Sequence, residues 1–278
     1  MILKSLSRVM IKLPVMFLVS IMFGGCKTAE MQISNNLTYA VAWKATAAEY
    51  RALYYQGFNI AKSRVDQALN PPNIEKLKPL AIIADVDDTL VLSDPYWSHL
   101  IENNLEFFDD SIWDAWVASN KVSASPGAKD FLKYCEDNGV EVFYVTNRNQ
   151  GSGTRQYLLD SLRRLDFPFV DEQHLFVLRE SSNKELIQDE IKSEFEVVVM
   201  LGDNLNDFSR KYYVSRIDER DSLIDQDFER YGMEFILFPN PTDGHWIRAI
   251  FGESEPAAST SNKIKFREAA TASAWKKK

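Results

Sequence analysis

Cysteine is almost missing from these 278 residues: Cys26 and Cys135 are the only two. Two thiols cannot make a disulfide framework, so stability has to come from a packed core. Histidine is nearly as scarce, and His99, His174 and His245 stand far apart. The chain therefore offers no Cys or His cluster of the kind a dedicated zinc site uses. An excess of positive charge is missing too. The formal net charge is −8 and the pI about 5.1, whereas a surface built for a nucleic-acid polymer is ordinarily basic. No internal repeat is visible. The apolar stretch at 13–23 is too short to span a bilayer comfortably. What the chain does have is apolar material, with a hydrophobic share of 45% and aromatics at 12%, enough for one large core or a core with a smaller lobe.

At the N-terminus, Lys4, Arg8 and Lys12 precede that apolar stretch, and Gly24-Gly25-Cys26 follows it. A basic segment, a short apolar run and small residues read as an export signal. With Cys26 directly after the glycines, the segment resembles a bacterial lipoprotein signal. That resemblance implies loss of residues 1–25, lipidation of Cys26, and a protein anchored to the outer membrane, facing the periplasm or the surface. Residues 26–35 are short and polar, as a tether should be. Cys135 falls in an apolar helical pattern and is expected to be a small core residue.

Across residues 36–69 the apolar positions Tyr39, Val41, Ala42, Ala45, Tyr50, Leu53, Tyr54, Phe58, Ala61, Val65 and Leu69 recur at helical spacing, and Pro71-Pro72 closes the run. Residues 36–79 are thus expected to be a helical segment contributing to a cap or to the core. From residue 80 onward, apolar runs at 80–84, 140–145, 175–178, 197–201 and 235–238 alternate with helical patterns at about 128–138, 154–165, 184–195 and 223–231. That alternation predicts an α/β fold over residues 80–251: a Rossmann-like, mostly parallel sheet with helices on both faces. An aromatic and acidic insertion at about 95–125, holding Tyr96, Trp97, Phe107, Phe108, Trp113 and Trp116, is expected to form a small helical cap. Residues 252–278 turn to Ser, Thr, Ala and Lys without periodicity, which reads as a flexible tail.

The stretch around residue 85 organises the rest. Asp85, Asp87 and Asp88 stand where the strand at 80–84 leaves the core, and the carboxyl end of a parallel strand is where open α/β sheets place ligands. Two unit negative charges about 4 Å apart repel by roughly 4 kcal/mol at an effective dielectric of 20. A bound divalent cation is the simplest remedy. The strand at 140–145 ends in Thr146-Asn147-Arg148, and the strand at 197–201 in Gly202-Asp203-Asn204-Leu205-Asn206-Asp207-Phe208. These are the residue types that phosphoryl transfer needs, since its catalysis is mainly positioning and neutralisation of charge. A carboxylate nucleophile divides such a hydrolysis into two steps. An oxygen-only shell suits Mg²⁺.

Asp85-Val86-Asp87-Asp88-Thr89 resembles the D-x-D-x-T signature of haloacid-dehalogenase-superfamily phosphatases. The resemblance narrows with P-G-A-x-x-F-L from Pro126, V-T-N-R from Val145, G-D-N-L-N-D-F from Gly202, and the Ala42-Trp43 to Ala61-Lys62 helix. Together these are similar to the class C acid phosphatases, the lipoprotein e family of bacterial 5′-nucleotidases, over nearly all of residues 26–250. The resemblance implies roles. Asp85 is the nucleophile and Asp87 the general acid/base. Thr146 and the backbone N–H of Asn147 hold one phosphoryl oxygen, and Lys184 holds another while offsetting charge beside Asp85. Mg²⁺ sits on Asp85, Asp203 and the main-chain carbonyl of Asp87, with Asp207 orienting metal-bound water. Tyr96, Trp113 and Trp116 stand where the family stacks a nucleobase, although the same rings would equally serve as the cap's own interior. Where the family usually carries an aromatic before a glycine, this chain has Thr242-Asp243-Gly244. The implied activity is a Mg²⁺-dependent acid phosphatase acting on small-molecule phosphomonoesters, nucleoside 5′-monophosphates first, through an aspartyl-phosphate. The implied setting is a membrane, held through the lipid anchor, with no nucleic-acid polymer as partner and a homodimer left open. The alternatives are a broad sugar or aryl phosphatase, and a non-catalytic surface or storage protein that kept the fold.

Overall fold

The structure, a computed structural model, describes residues 35–70, 78–148 and 151–275. The expected export signal, Cys26, and all of the expected tether except Asn35 lie outside the described residues. In chain order the elements are α1 (Thr38–Thr46), α2 (Ala48–Leu69), β1 (Leu80–Ala84), β2 (Val91–Leu92), α3 (Asp94–Glu102), α4 (Asp110–Ala118), β3 (Ser123–Ala124), α5 (Ala128–Asp137) and β4 (Glu141–Asn147). There follow α6 (Thr154–Arg164), β5 (Leu175–Leu178), α7 (Glu185–Glu194), β6 (Glu196–Gly202), α8 (Ile217–Gln226), β7 (Phe235–Leu237), α9 (Trp246–Phe251) and α10 (Thr260–Thr271).

Five strands form one parallel sheet in the order β5-β4-β1-β6-β7, as the alternating pattern predicts. Strand β1 lies at its centre and is buried along its whole length. Its period of two divides the core. Leu80, Ile82 and Ala84 face the layer of Tyr54, Phe58, Phe131, Leu132 and Leu158. Ala81 and Ile83 face the layer of Phe143, Met200, Phe208 and Phe235. Helix α2 crosses the first layer at Gly57, where a Cβ would stand 2.5 Å from the Phe238 ring, so only glycine permits the approach. Cys135 is fully buried in that layer, as expected, and burial pushes its thiol up to about 12.

The insertion is a cap of α3 and α4 on a short antiparallel ribbon, β2 paired with β3. Its interior is Tyr96, Trp97, Leu100, Trp113 and Val117, closed by Leu37 and Val41. The N-terminal helical segment therefore serves both purposes, α1 packing on the cap and α2 on the sheet. Three boundaries differ from the sequence pattern. The run at 36–69 breaks at Ala47, whose ψ of 123° is extended. The helix expected near 223–231 is α8, followed by a 3₁₀ turn at Phe228–Arg230, because its first turn is polar and carries no periodic signal. Within 252–278, expected to lack regular structure, stands α10, capped by the Ser259 side chain. Phe266 docks it against Phe107, Trp246 and Phe251, and a single ring makes no periodic stripe.

Lys44 on α1 ties these layers to the loops that carry the acids. Its ammonium is buried, donates to Asp88 Oδ1 (3.0 Å) and Thr242 Oγ1 (3.1 Å), and lies 3.2 Å from Asp94 Oδ1. Burial alone would lower its pKa; Asp88 and Asp94 outweigh that and raise it. Removing one partner of a buried ion pair typically costs about 3–5 kcal/mol. Lys44→Met is expected to lose that much in urea unfolding; a loss under about 1 kcal/mol would mean the group is not holding cap and sheet together.

Candidate active site

The carboxyl ends of β1, β4 and β6 are neighbours in the sheet, so three sequence-distant motifs converge. Carboxylate oxygens of Asp85, Asp203 and Asp207 lie within 4.8 Å of one another. Lys184, 4% exposed at the N-cap of α7, donates to Asp85 Oδ1 at 2.5 Å and Asp207 Oδ1 at 2.7 Å. The loop after β6 is shaped for this arrangement. Asp207 Oδ2 accepts from the Asn204 N–H (2.9 Å) in a capping box around the turn Leu205–Asp207. Gly202 is required beneath it, since a Cβ there would stand 2.6 Å from the Asp207 side chain. Asp203 accepts from Asn240 Nδ2 at 2.7 Å, and the Thr89 hydroxyl lies 3.3 Å from both Asp203 Oδ1 and Asp85 Oδ2.

The charges in this cluster do not balance. Three carboxylates face one ammonium, and among the described residues no other cation lies within ion-pair distance of them. Burial pushes Asp85 up to about 7 even against Lys184, and Asp207 and Asp87 add to the rise. Burial also raises Asp203 well above the usual carboxylate range, with Asp207, Asp85 and Asp88 contributing. For Lys184 burial opposes the charge, yet Asp207 and Asp85 raise its pKa. An all-oxygen donor set with surplus negative charge fits a hard divalent cation.

Asp88, third of the acids after β1, belongs to the scaffold. It adopts a left-handed φ of 52°, and both its oxygens are occupied, Oδ1 by Lys44 and the Ser93 N–H, Oδ2 by the Ser93 hydroxyl and Asn240. Asp87 is held differently. Arg148 Nε donates to Oδ2 at 2.8 Å and Nη2 to Oδ1 at 2.6 Å, a bidentate clamp. Arg148 is itself 2% exposed and lies 5.8 Å from the Trp113 ring. The sequence contains this arginine in V-T-N-R, but nothing local reveals its partner.

These groups open into a cavity of about 440 Å³. Thr146, buried at the end of β4, lines it with Asn147, whose amide nitrogen is directed to Leu178 O (3.2 Å) and Ser181 O (3.0 Å). Among the three rings expected at the substrate, Trp113 lines the cavity and Tyr96 and Trp116 do not. Tyr96 is fully buried, edge-on to Trp97 and Trp113, with its hydroxyl tied to the Asp109 backbone. Trp116 packs against Trp113 inside the cap. Trp97 and Phe108 take the wall instead. Tyr96 and Leu100 share the inward face of α3 at i, i+4 spacing, which turns Tyr96 away from the cavity.

The sequence profile of the HAD superfamily, subfamily IIIB (acid phosphatase), matches residues 22–246. The chain belongs to that family. Two solved structures agree: a class C acid phosphatase from Bacillus anthracis with tungstate bound is 28% identical with a TM-score of 0.78, covering 88% of this chain and 98% of its own. A second structure of the class C acid phosphatase from Bacillus anthracis is 27% identical with a TM-score of 0.77, covering 88% and 99%. The chain is a phosphomonoesterase with a HAD-like α/β fold, and its substrate is a small-molecule phosphate ester.

Two further groups of this phosphatase line the cavity. His245 Nδ1 lies 3.0 Å from Asn204 Nδ2. Burial, then Arg210, Arg220, Lys184 and Arg248, lower its pKa to about 3, so the neutral ring accepts from Asn204. Asp243 brings a carboxylate where the sequence comparison expected an aromatic. Burial pushes it up to about 6 against the Gly244 N–H, with Asp88 and Asp87 adding and Lys44 opposing. The folded state therefore binds this proton more tightly than the unfolded chain. Stability is highest below the ordinary carboxylate value of 3.8 and is lost as pH rises through about 6. Asp243→Asn is expected to stabilise the protein by about 1–2 kcal/mol at pH 8, discounted for partial solvent contact, and to change nothing near pH 4. Urea unfolding at the two pH values checks it; an equal gain at both would refute the charge origin.

Proposed function

We propose that this phosphatase is Mg²⁺-dependent and hydrolyses phosphomonoesters, nucleoside 5′-monophosphates first among them, through an aspartyl-phosphate on Asp85. The observation that carries this reading is the convergence of Asp85, Asp203 and Asp207 on one point with Lys184, among the described residues, as their one counter-charge. Asp85 and Asp203 would hold the cation, with Asp207 beside them and the main-chain carbonyl of Asp87 completing the protein ligands. When bound, Mg²⁺ supplies neutralisation of the nucleophile and of the phosphoryl oxygens. The tungstate in the Bacillus anthracis relative is a tetrahedral oxyanion, and its presence there supports an oxyanion site here.

In this reading Asp85 attacks phosphorus in line, forming an O–P bond while the bond to the leaving oxygen breaks. Asp87 gives its proton to that oxygen; water then attacks phosphorus, the O–P bond to Asp85 breaks, phosphate leaves, and Asp87 takes a proton from the water. The Arg148 clamp engages each Asp87 oxygen once, leaving a second lone pair for the proton. Thr146 and the Asn147 N–H hold one phosphoryl oxygen, and Lys184 another. Trp113, with Trp97 and Phe108, offers the leaving group an aromatic wall, and base stacking contributes about 1–3 kcal/mol per base. Gly24-Gly25-Cys26 supports lipid anchoring in the outer membrane.

Steady-state hydrolysis of an aryl phosphate tests the metal. EDTA is expected to abolish turnover and Mg²⁺ to restore it, while an undiminished rate in EDTA would reject the proposal. The aromatic wall predicts a kcat/KM for a nucleoside 5′-monophosphate about tenfold or more above that for ribose 5-phosphate; equal values would reject nucleotide preference.

A further inference from the structure

We infer that the segment after α9 is a strap that completes the substrate cavity, and that Glu255 on it discriminates against leaving groups carrying a negative charge. The inference rests on the reading of this cavity as the phosphomonoester site. The family profile ends at residue 246, and the strap follows it.

The strap has a built path. Gly252, at a left-handed φ of 85°, ends α9 and reverses the chain. Ser254 and Glu255 then line the same cavity as Asp85 and Trp113. Pro256 is buried, and Ser259 caps α10. Lys263 on α10 donates to Glu106 Oε1 at 2.7 Å, and the Glu106 side chain is 3% exposed. Phe266 lies 5.8 Å from Phe107 and 4.7 Å from Phe251. Glu106 and Phe107 directly precede Phe108, one of the rings of the cavity wall. The strap thus fixes one end of the aromatic wall while placing its own carboxylate beside it.

The electrostatics give that carboxylate a purpose. Glu255 from the strap, Asp243 from the loop after β7 and Asp110 from the cap are close enough to repel. Glu255 is an exposed residue at the cavity rim; partial burial of its carboxyl, then Asp110 and Asp243, raise its pKa. Neither Glu255 nor Asp243 has a basic partner within ion-pair distance among the described residues. The phosphoryl end of a substrate meets Lys184, while Glu255 and Asp243, which line the cavity, border the leaving group. Arg179 and Arg210 also line the cavity, so the effect is local: beside Glu255 and Asp243 a neutral nucleoside or sugar is tolerated and a second anionic group is repelled.

Two full-length variants test the strap, neither touching the carboxylate cluster. Lys263→Met with Phe266→Ala releases α10. It is expected to raise KM for a nucleoside 5′-monophosphate about fivefold or more while kcat on glycerol phosphate stays within about twofold. Glu255→Gln is expected to raise kcat/KM for a nucleoside 3′,5′-bisphosphate relative to the 5′-monophosphate by about fivefold. Unchanged discrimination in both folded variants would overturn the inference. So would a loss equal on every substrate, which marks a mere brace. Wild-type failure to turn over glycerol phosphate would instead reject the underlying enzymatic reading. Calorimetric Kd ratios for the two nucleotides, measured with and without Glu255→Gln in an Asp85→Asn background, read the discrimination independently of turnover; an unchanged ratio would again overturn it.

Discussion

Asp85→Asn should remove turnover, by on the order of 10⁴- to 10⁶-fold, the size of loss seen when a covalent nucleophile is deleted. An amide in that place cannot form the acyl-phosphate, although its oxygen can still accept from Lys184 and its volume is unchanged. The same substitution should leave the fold intact and make the metal-free protein more stable. Asp85 is buried beside Asp207 and Asp87, and its pKa of about 7 lies above the ordinary 3.8. The folded state therefore favours the protonated form. Ionisation at higher pH is paid for in stability, in a window that opens above 3.8 and is complete above about 7. The gain from asparagine is expected to be about 1–3 kcal/mol at pH 8 in EDTA and to vanish near pH 4. Turnover and thermal unfolding measured on the same sample decide the matter. Residual activity above about 1% of wild type would remove Asp85 from the role of nucleophile, and unfolding of the variant at all pH values would contradict the electrostatic account.

The sheet and its acidic tips were legible because their physics is local. An apolar run such as Leu80-Ala81-Ile82-Ile83-Ala84 has no polar face to present to water, so it becomes a central strand, and Asp85 follows it out of the core. Lys184 was legible only through resemblance, since a lysine opening a helix is ordinarily solvated. Arg148 and Lys44 are harder. Each finds its carboxylate far along the chain, Arg148 at Asp87 and Lys44 at Asp88, and no spacing rule connects them. The cap rings show a different limit. Tyr96 and Trp97 are adjacent on α3, and which ring reaches the cavity depends on how the cap interior, Leu100, Trp113 and Val117 with Leu37 and Val41, packs. Helix α10 was missed because Phe266 and the Lys263–Glu106 pair dock it without an apolar stripe.

Lys184→Met should be the most damaging substitution for metal-free stability. The ammonium is 4% exposed, bonds Asp85 and Asp207 directly, and is the one cation in ion-pair range of the three carboxylates among the described residues. Its raised pKa keeps it charged at every pH below its ordinary 10.5, so its contribution is present throughout the working range. Without it, buried carboxylates repel with nothing between them, a loss of about 3–5 kcal/mol at pH 8. Two dependences separate this from a packing defect. The loss should shrink as pH falls, because without the opposing pull of Lys184 the Asp85 carboxyl is raised further above about 7 and takes up a proton in the folded variant. It should also shrink in Mg²⁺, since a cation bound only by the folded protein adds about 2.7 kcal/mol at one hundred times its Kd. A methionine that merely packed badly would respond to neither. Turnover should nevertheless stay about 10²- to 10³-fold low under rescue, because a restored charge balance does not replace the Lys184 N–H that holds a phosphoryl oxygen.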